Sequence, residues 1–330
     1  MNGPTKRVLV DCDTGIDDAM AILYLLGTPG VDVVALTTVF GNISAATAAA
    51  NCLRLLELTG RTDIPVSIGA ERTVTGETPV LAPHVHGEDG AGNTALPAPT
   101  VQPSELTAAE QIARQARRHA GELTLLAVGP LTNLAAALAS EPKLDQLVRR
   151  VVVMGGAAEV AGNQTAAAEA NILHDPEAAS AVLNARWDCV LVPLDVTMRE
   201  LLTEEHRARL EKAATPVSSL VARITDHYFD YFKAESFDRR CSPCHDALAA
   251  AIAVGDYQPT LAPRVPVEVE CGAGPARGAT ICDTRSRYRG FAGAPAGRTQ
   301  VVLRTPGVFA DQLVDRLTAW PFPGRPELGH

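Results

Sequence analysis

The chain has 330 residues, 46% of them hydrophobic and 20% charged, which excludes a disordered or fibrous protein and leaves room for a sizeable folded core. Its formal net charge is −9 with a pI near 5.4, and no run of lysine or arginine is long enough to track phosphates, so neither nucleic acid nor an anionic membrane is an expected partner. Seven scattered cysteines, an odd number, do not make a disulfide framework, and no stretch has the apolar length of a secretory leader or membrane span; the expectation is a reduced, cytoplasmic protein.

In chain order, short β-branched apolar runs alternate with longer stretches of helical period, the pattern of βαβ units around a parallel sheet. RVLVD (7–11) opens as a strand and a helix follows over 17–26. VDVVALTTV (31–39) precedes a helix over 44–59, started by Ser44 and stopped by Gly60. IPVSIG (64–69) is the third strand, and the Gly- and Pro-dense 73–93 reads as a loop. A helix over 105–119, the strand LTLLAV (123–128), a helix over 132–140 and the strand RRVVVMG (149–155) come next. Asp175-Pro176 starts a helix over 176–186, and DCVLVPLD (188–195) is the sixth strand. Beyond residue 200 come helices near 203–213, 216–234 and 246–254, a loop over 233–244, strands within PRVPVEVEC, GATICDT and TQVVLRT, and a last helix over 308–319. No linker divides the chain. The expected fold is therefore one α/β domain over 1–330, with a mainly parallel, Rossmann-like central sheet flanked by helices and a mixed C-terminal extension.

Ligands bind such sheets outside the carboxyl ends of the strands. The polar residues there are Asp11 and Asp13, Thr38 to Asn42, Gly129 to Asn133, Met154 to Gly156, and Asp195. DCDTGIDDA (11–19) stands out, with Asp11, Asp13, Asp17 and Asp18 crowded together. First-turn acids are favoured by the helix dipole, which accounts for one or two of them. Asp11 and Asp13 precede the helix, where mutual repulsion costs stability unless a cation is present. Clustered carboxylate oxygens suit a hard divalent ion, Ca²⁺ or Mg²⁺. The EF-hand spacing fails, because its sixth and twelfth positions counted from Asp11 are Ile16 and Ile22. Asp11-Cys12-Asp13 after an apolar strand also has the outline of a haloacid dehalogenase-type, metal-dependent phosphatase with Asp11 as nucleophile, although Gly15 departs from that motif.

DCDTGIDDA followed by TTVFGN resembles the opening of the inosine-uridine preferring nucleoside hydrolases, and the resemblance continues in order through HVHGEDGAGN (84–93), GPLTNLA (129–135), VVVMGG (151–156), GNQTAAAEANILHDPEAA (162–179) and CHDALA (244–249). The resemblance implies Ca²⁺-dependent hydrolysis of the N-glycosidic bond of ribonucleosides, a place in nucleoside salvage, and a homodimer or homotetramer. It makes Asp13, Asp18, Asp246 and the Val128 carbonyl the metal ligands, with Asp13 as general base toward the attacking water and His245 as the acid that assists the leaving base. It places Asp17, Asn42, Asn171 and Asp246 around the 2′- and 3′-hydroxyls and Asn163 and Glu169 near the 5′-hydroxyl, with Met154 at the same rim. Ala170 stands where some members carry an aromatic residue, which bears on the base taken.

His86 either lines the base pocket or sits in a solvated loop. Cys241 and Cys244 read as packed or loop thiols, since no second pair completes a zinc or redox motif. Tyr228, Phe229, Tyr231 and Phe232 have the spacing of a buried helix face, with a base-contacting lid as the alternative; 73–93 and 222–245 are the segments expected to border or cover the site. A noncatalytic nucleoside- or sugar-binding protein on the same fold is the remaining alternative.

Overall fold

Val8, Leu9 and Val10 point alternately to opposite faces of a strand, yet none has any exposed surface. Only a strand covered on both faces permits that, as the central strands of a parallel sheet are. In the computed structural model, which describes residues 5–287, 289–291 and 297–321, this run is β1 (Lys6–Cys12). Residues 1–4, 288, 292–296 and 322–330 of the expected 1–330 unit lie outside the described residues.

The other strands are β2 (Val31–Thr38), β3 (Val66–Ile68), β4 (Leu123–Ala127), β5 (Arg150–Met154), β6 (Cys189–Val192), β7 (Leu201–Thr203), β8 (Cys241–Pro243), β9 (Arg264–Val265), β10 (Val267–Val269), β11 (Thr280–Cys282) and β12 (Thr299–Val301). Eight of them form one sheet in the order β3-β2-β1-β4-β5-β6-β12-β9, parallel throughout except for β9, which runs antiparallel to β12. All six strands read from the first 195 residues are present, and β12 and β9 form the mixed extension.

The chain winds outward from β1 to β3, then returns to β1's other edge with β4. The connections therefore diverge at the carboxyl ends of β1 and β4, where side chains from two loops face one crevice. The helix Ile16–Gly27 leaves this point and is buried along all twelve residues, packed against the helices His245–Ala253, Pro216–Glu235 and Phe309–Thr318. An all-round apolar helix is stable only inside such a layer. That packing brings residues far apart in sequence to the first turn of Ile16–Gly27.

The observed strands depart from the expected ones where proline intervenes. PRVPVEVEC is split at Pro266 into β9 and β10, which belong to different sheets, because proline has no N–H to continue a ladder. Pro193 likewise ends β6, and Leu194–Thr197 turns as a short helix. The two expected loops contain ordered elements: Pro83–His86 is helical, Pro216–Glu235 runs into 233–244, and β8 pairs with β7.

Candidate active site

The turn leaving β1 holds its aspartates in distinct settings. Asp11 is 1% exposed, and its Oδ1 accepts hydrogen bonds from Thr37 Oγ1 (2.6 Å) and Asn133 Nδ2 (2.8 Å). Burial, partly offset by those bonds, pushes its pKa up to about 7. With its Oδ1 committed to Thr37 and Asn133 and outside the group formed by Asp17, Asp18 and Asp246, Asp11 is not supported as the expected phosphatase nucleophile.

Asp13 accepts the Asn42 backbone N–H at Oδ2 (2.7 Å) and Asn42 Nδ2 at Oδ1 (3.1 Å). Asp18, in the first helical turn, accepts the N–H of Gly15 (2.8 Å) and of Asp13 (3.2 Å), folding the turn around its own carboxylate. Asp17 Oδ2 accepts Tyr228 Oη at 3.1 Å, while its Oδ1 is buried without a partner among the described residues. Asp246, in the first turn of His245–Ala253, completes the group: one oxygen each of Asp17, Asp18 and Asp246 lie within 4.8 Å of one another. Asp13 borders this trio through Asp18, its own oxygens being held by Asn42.

These residues fit a hard cation. All four carboxyls are buried, and burial followed by neighbouring like charges holds Asp13 and Asp246 well above the usual carboxylate range and Asp18 at about 7. Asp17 is also raised by burial, with His245 acting against the shift. A divalent ion would supply the missing charge, and the unpartnered Asp17 oxygen remains able to accept a hydrogen bond. The Val128 carbonyl, just beyond β4, accepts Asn171 Nδ2 at 3.0 Å and keeps a second lone pair.

The expected sugar-side residues gather nearby. Asn171 Nδ2 also donates to the Met154 carbonyl at 3.2 Å. Glu169 caps the helix Ala170–His174, accepting from Asn171 N–H (3.0 Å) and Gly156 N–H (2.9 Å), and burial raises its pKa to about 7. Asn163 is exposed, and its Oδ1 accepts the Ala170 N–H at 3.0 Å. Asp195 accepts the N–H groups of Ala158 and Glu159, both at 2.8 Å, and so anchors the start of the loop that carries Asn163.

Both histidines are buried and neutral. His86 Nδ1 accepts the Ile16 N–H at 3.1 Å, and burial pushes its pKa down to about 3. Its 3.8 Å approach to Asp17 is therefore not an ion pair, because the nitrogen that faces Asp17 already spends its lone pair on that N–H. The solvated-loop reading of His86 does not hold, since it is 4% exposed. His245 Nδ1 lies 2.7 Å from Thr197 Oγ1, and burial lowers its pKa to about 4 despite the opposing charge of Asp17. His84 meets Tyr231 edge-on at 5.9 Å between centroids, joining 73–93 to 222–245. Tyr228, Phe229 and Phe232 are buried, whereas Tyr231 is half-buried. Cys241 and Cys244 are buried free thiols.

Three contacts were not foreseen from the sequence: Thr197 on His245, Asn133 on Asp11 and Tyr228 on Asp17. Asn133 and Tyr228 stood in segments already singled out, whereas Thr197 had only its position two residues after Asp195 to suggest it. Gly41 supplies another. A Cβ there would overlap Asp13 Oδ2, and the backbone φ of +158° is one that L side chains rarely adopt. Gly41→Ala is expected to cut turnover at least tenfold through displacement of Asp13 and to lower the melting temperature; unchanged kcat would remove this constraint on Asp13.

The sequence matches the inosine-uridine preferring nucleoside hydrolase family over residues 8–305. It is 42% identical over 230 residues to "Probable uridine nucleosidase 2" of Arabidopsis thaliana, covering 69% of this chain and 71% of that protein. It is 38% identical over 310 residues to the pyrimidine-specific ribonucleoside hydrolase RihA of Shigella flexneri, covering 94% and 97%. A solved plant nucleoside hydrolase superposes with a TM-score of 0.88 at 34% identity over 96% of this chain and all of the other, and a purine-preferring ribonucleoside hydrolase from Gardnerella vaginalis gives 0.88 at 27% over 97% and 100%.

Proposed function

This chain belongs to the inosine-uridine preferring nucleoside hydrolase family and hydrolyses the N-glycosidic bond of ribonucleosides, and from that premise we propose a Ca²⁺-dependent enzyme that prefers pyrimidine ribonucleosides. The buried carboxylate group at the carboxyl ends of β1 and β4 is the observation that carries the metal assignment. Asp13, Asp18, Asp246 and the Val128 carbonyl would hold Ca²⁺, which would supply Lewis acidity toward the attacking water. Pyrimidine preference is supported by the relatives named for uridine and pyrimidine substrates, at 42% and 38% identity.

Asp13 takes the proton of the attacking water as that water reaches C1′, and the Asn42 contacts keep its carboxylate aimed. Asp17, Asn42, Asn171 and Asp246 grip the 2′- and 3′-hydroxyls, and Asn163 and Glu169 the 5′-hydroxyl, so that C1′ is held still while oxocarbenium character develops. His245 assists the leaving base. Its neutral state at pH 7 supports hydrogen-bond donation to charge building on the base, with Thr197 fixing the ring. His86 and Met154 line the base and sugar pocket, and 73–93 with 222–245 act as the cover that excludes bulk water. Seven free cysteines support a reducing, cytoplasmic setting. No described helix is long and apolar enough to cross a membrane. The family resemblance supports a homodimer or homotetramer.

Ribose release from uridine, cytidine, inosine, adenosine, guanosine and 2′-deoxyuridine tests the proposal. Uridine and cytidine are expected to lead, with kcat/KM for 2′-deoxyuridine lower by about 10- to 100-fold, because a missing hydroxyl leaves buried polar groups unpaired. Faster release from purines would overturn the base assignment, and binding without release from any of the six would favour a noncatalytic protein. In His245→Ala, kcat on uridine should fall by about 10²-fold. An unchanged rate would remove His245 from the leaving-group role and leave the family assignment standing.

A further inference from the structure

We propose that the cleft at the opposite rim of the sheet is a second ligand site, one that takes a nucleotide with an amino-bearing base, such as AMP. It does not depend on the assignments made for the catalytic rim. The cleft has a volume of about 380 Å³, within the range of small-molecule sites, and lies where β2 begins and just before β3, among Asp32 to Val34, Asp63 to Pro65 and the helix Ala108–Arg118. The catalytic group stands at the other ends of these parallel strands.

Gln111, Arg114, Gln115 and Arg118 follow one another at the spacing of a single helical stripe, and all four line the cleft. The stripe changes character with depth. Gln111 and Gln115 are 1% and 4% exposed, and Gln111 Nε2, Gln111 Oε1 and Gln115 Oε1 have no hydrogen-bond partner among the described residues. Gln115 Nε2 makes only a long contact, 3.5 Å, to the Val34 carbonyl. Buried amides are almost always satisfied, so two that meet in one cleft mark a surface built to be covered. At the lip, Arg114 and Arg118 are exposed and make no ion pair with any described residue, and His119 lies beside them. Of the two acids there, Asp63 is already engaged by Arg61 at 2.8 Å. Asp32 alone opposes the arginines.

A floor of free amides under a cationic lip selects a ligand with a hydrogen-bonding edge at one end and an anion at the other. A glutamine amide presents a donor beside an acceptor, which pairs with the adjacent N6 amino group and N7 of adenine. In the proposed complex Gln115 Oε1, which has no other partner among the described residues, would accept the second N6 hydrogen. Two guanidinium forks are suited to phosphate. The stripe from Gln111 to Arg118 runs about 10 Å along the helix, comparable to the length of a nucleoside monophosphate.

Calorimetric titration of the full chain with AMP, IMP and inorganic phosphate tests this. IMP carries only acceptors on the edge that AMP uses, so AMP should bind at least tenfold more tightly than IMP, and more tightly than phosphate. The double variant Arg114→Ala/Arg118→Ala should weaken AMP at least tenfold while uridine kcat and KM stay as in the parent. No binding of AMP at millimolar concentration, equal binding of AMP and IMP, or AMP affinity unchanged in the double variant would each overturn the proposal, the last by locating AMP elsewhere, the catalytic pocket included.

Discussion

Replacing Asp13 with alanine should lower ribose release from uridine by about 10³-fold or more, whereas replacing Asp11 with asparagine should leave activity within about tenfold of the parent. The two carboxyls lie two residues apart and both are buried, so composition alone would not separate them. Their partners do. Asp13 is steered by both nitrogens of Asn42 into contact with Asp18, at the edge of the carboxylate group. Asp11 faces away, toward Thr37 and Asn133, and asparagine keeps a carbonyl oxygen for both bonds. Steady-state kinetics on the two variants, with circular dichroism to verify folding, give the comparison. The reverse order, with Asp11→Asn inactive and Asp13→Ala active, would refute the division of labour and revive a nucleophilic Asp11.

The second large effect is on stability, and its sign follows from the raised carboxyls. Asp18, a proposed ligand, shifts from 3.8 to about 7, chiefly by burial, and its proposed fellow ligands Asp13 and Asp246 are raised as well. Between those values the folded chain without a cation holds more protons than the unfolded chain. Its stability is then greatest below the unfolded pKa and is lost as pH rises toward and through about 7. A divalent cation takes over from the protons, so its stabilising effect grows with pH. With Ca²⁺ at a hundred times its dissociation constant, the melting temperature at pH 8 should exceed that of the chelator-treated protein by about 5 °C, and the difference should shrink toward zero at pH 5. Comparing loaded and chelated samples at each pH cancels the titration of distant groups. A difference independent of pH, or a chelated protein that gains stability from pH 5 to 8, would contradict the assignment of these carboxyls to a cation.

The strands β1 to β6 were legible in the sequence because each is a short apolar run covered on both faces, a property of local composition. The crowded aspartates were legible for a related reason: their repulsion is written within one turn of chain. What local pattern did not carry was pairing between distant segments. β7 and β8 are three residues each and exist only because they find one another. Thr197 gains its place from His245, and Asn133 from Asp11, across separations that no periodicity encodes. The helix expected over 105–119 is present as Ala108–Arg118, but nothing in QIARQARR shows that Gln111 and Gln115 belong to its covered side.

The placement of β8 also bears on when this enzyme can become active during its synthesis. His245 and Asp246 follow directly from β8, which is pinned to β7, and the Cys244 N–H donates to the Glu200 carbonyl at 2.8 Å. Asp13, Asp17 and Asp18 leave the ribosome at the outset, yet the acid that completes their group arrives only after most of the chain has been translated. A nascent chain therefore carries the first three acids unfinished, and a cation held as proposed would be captured among the last events of maturation.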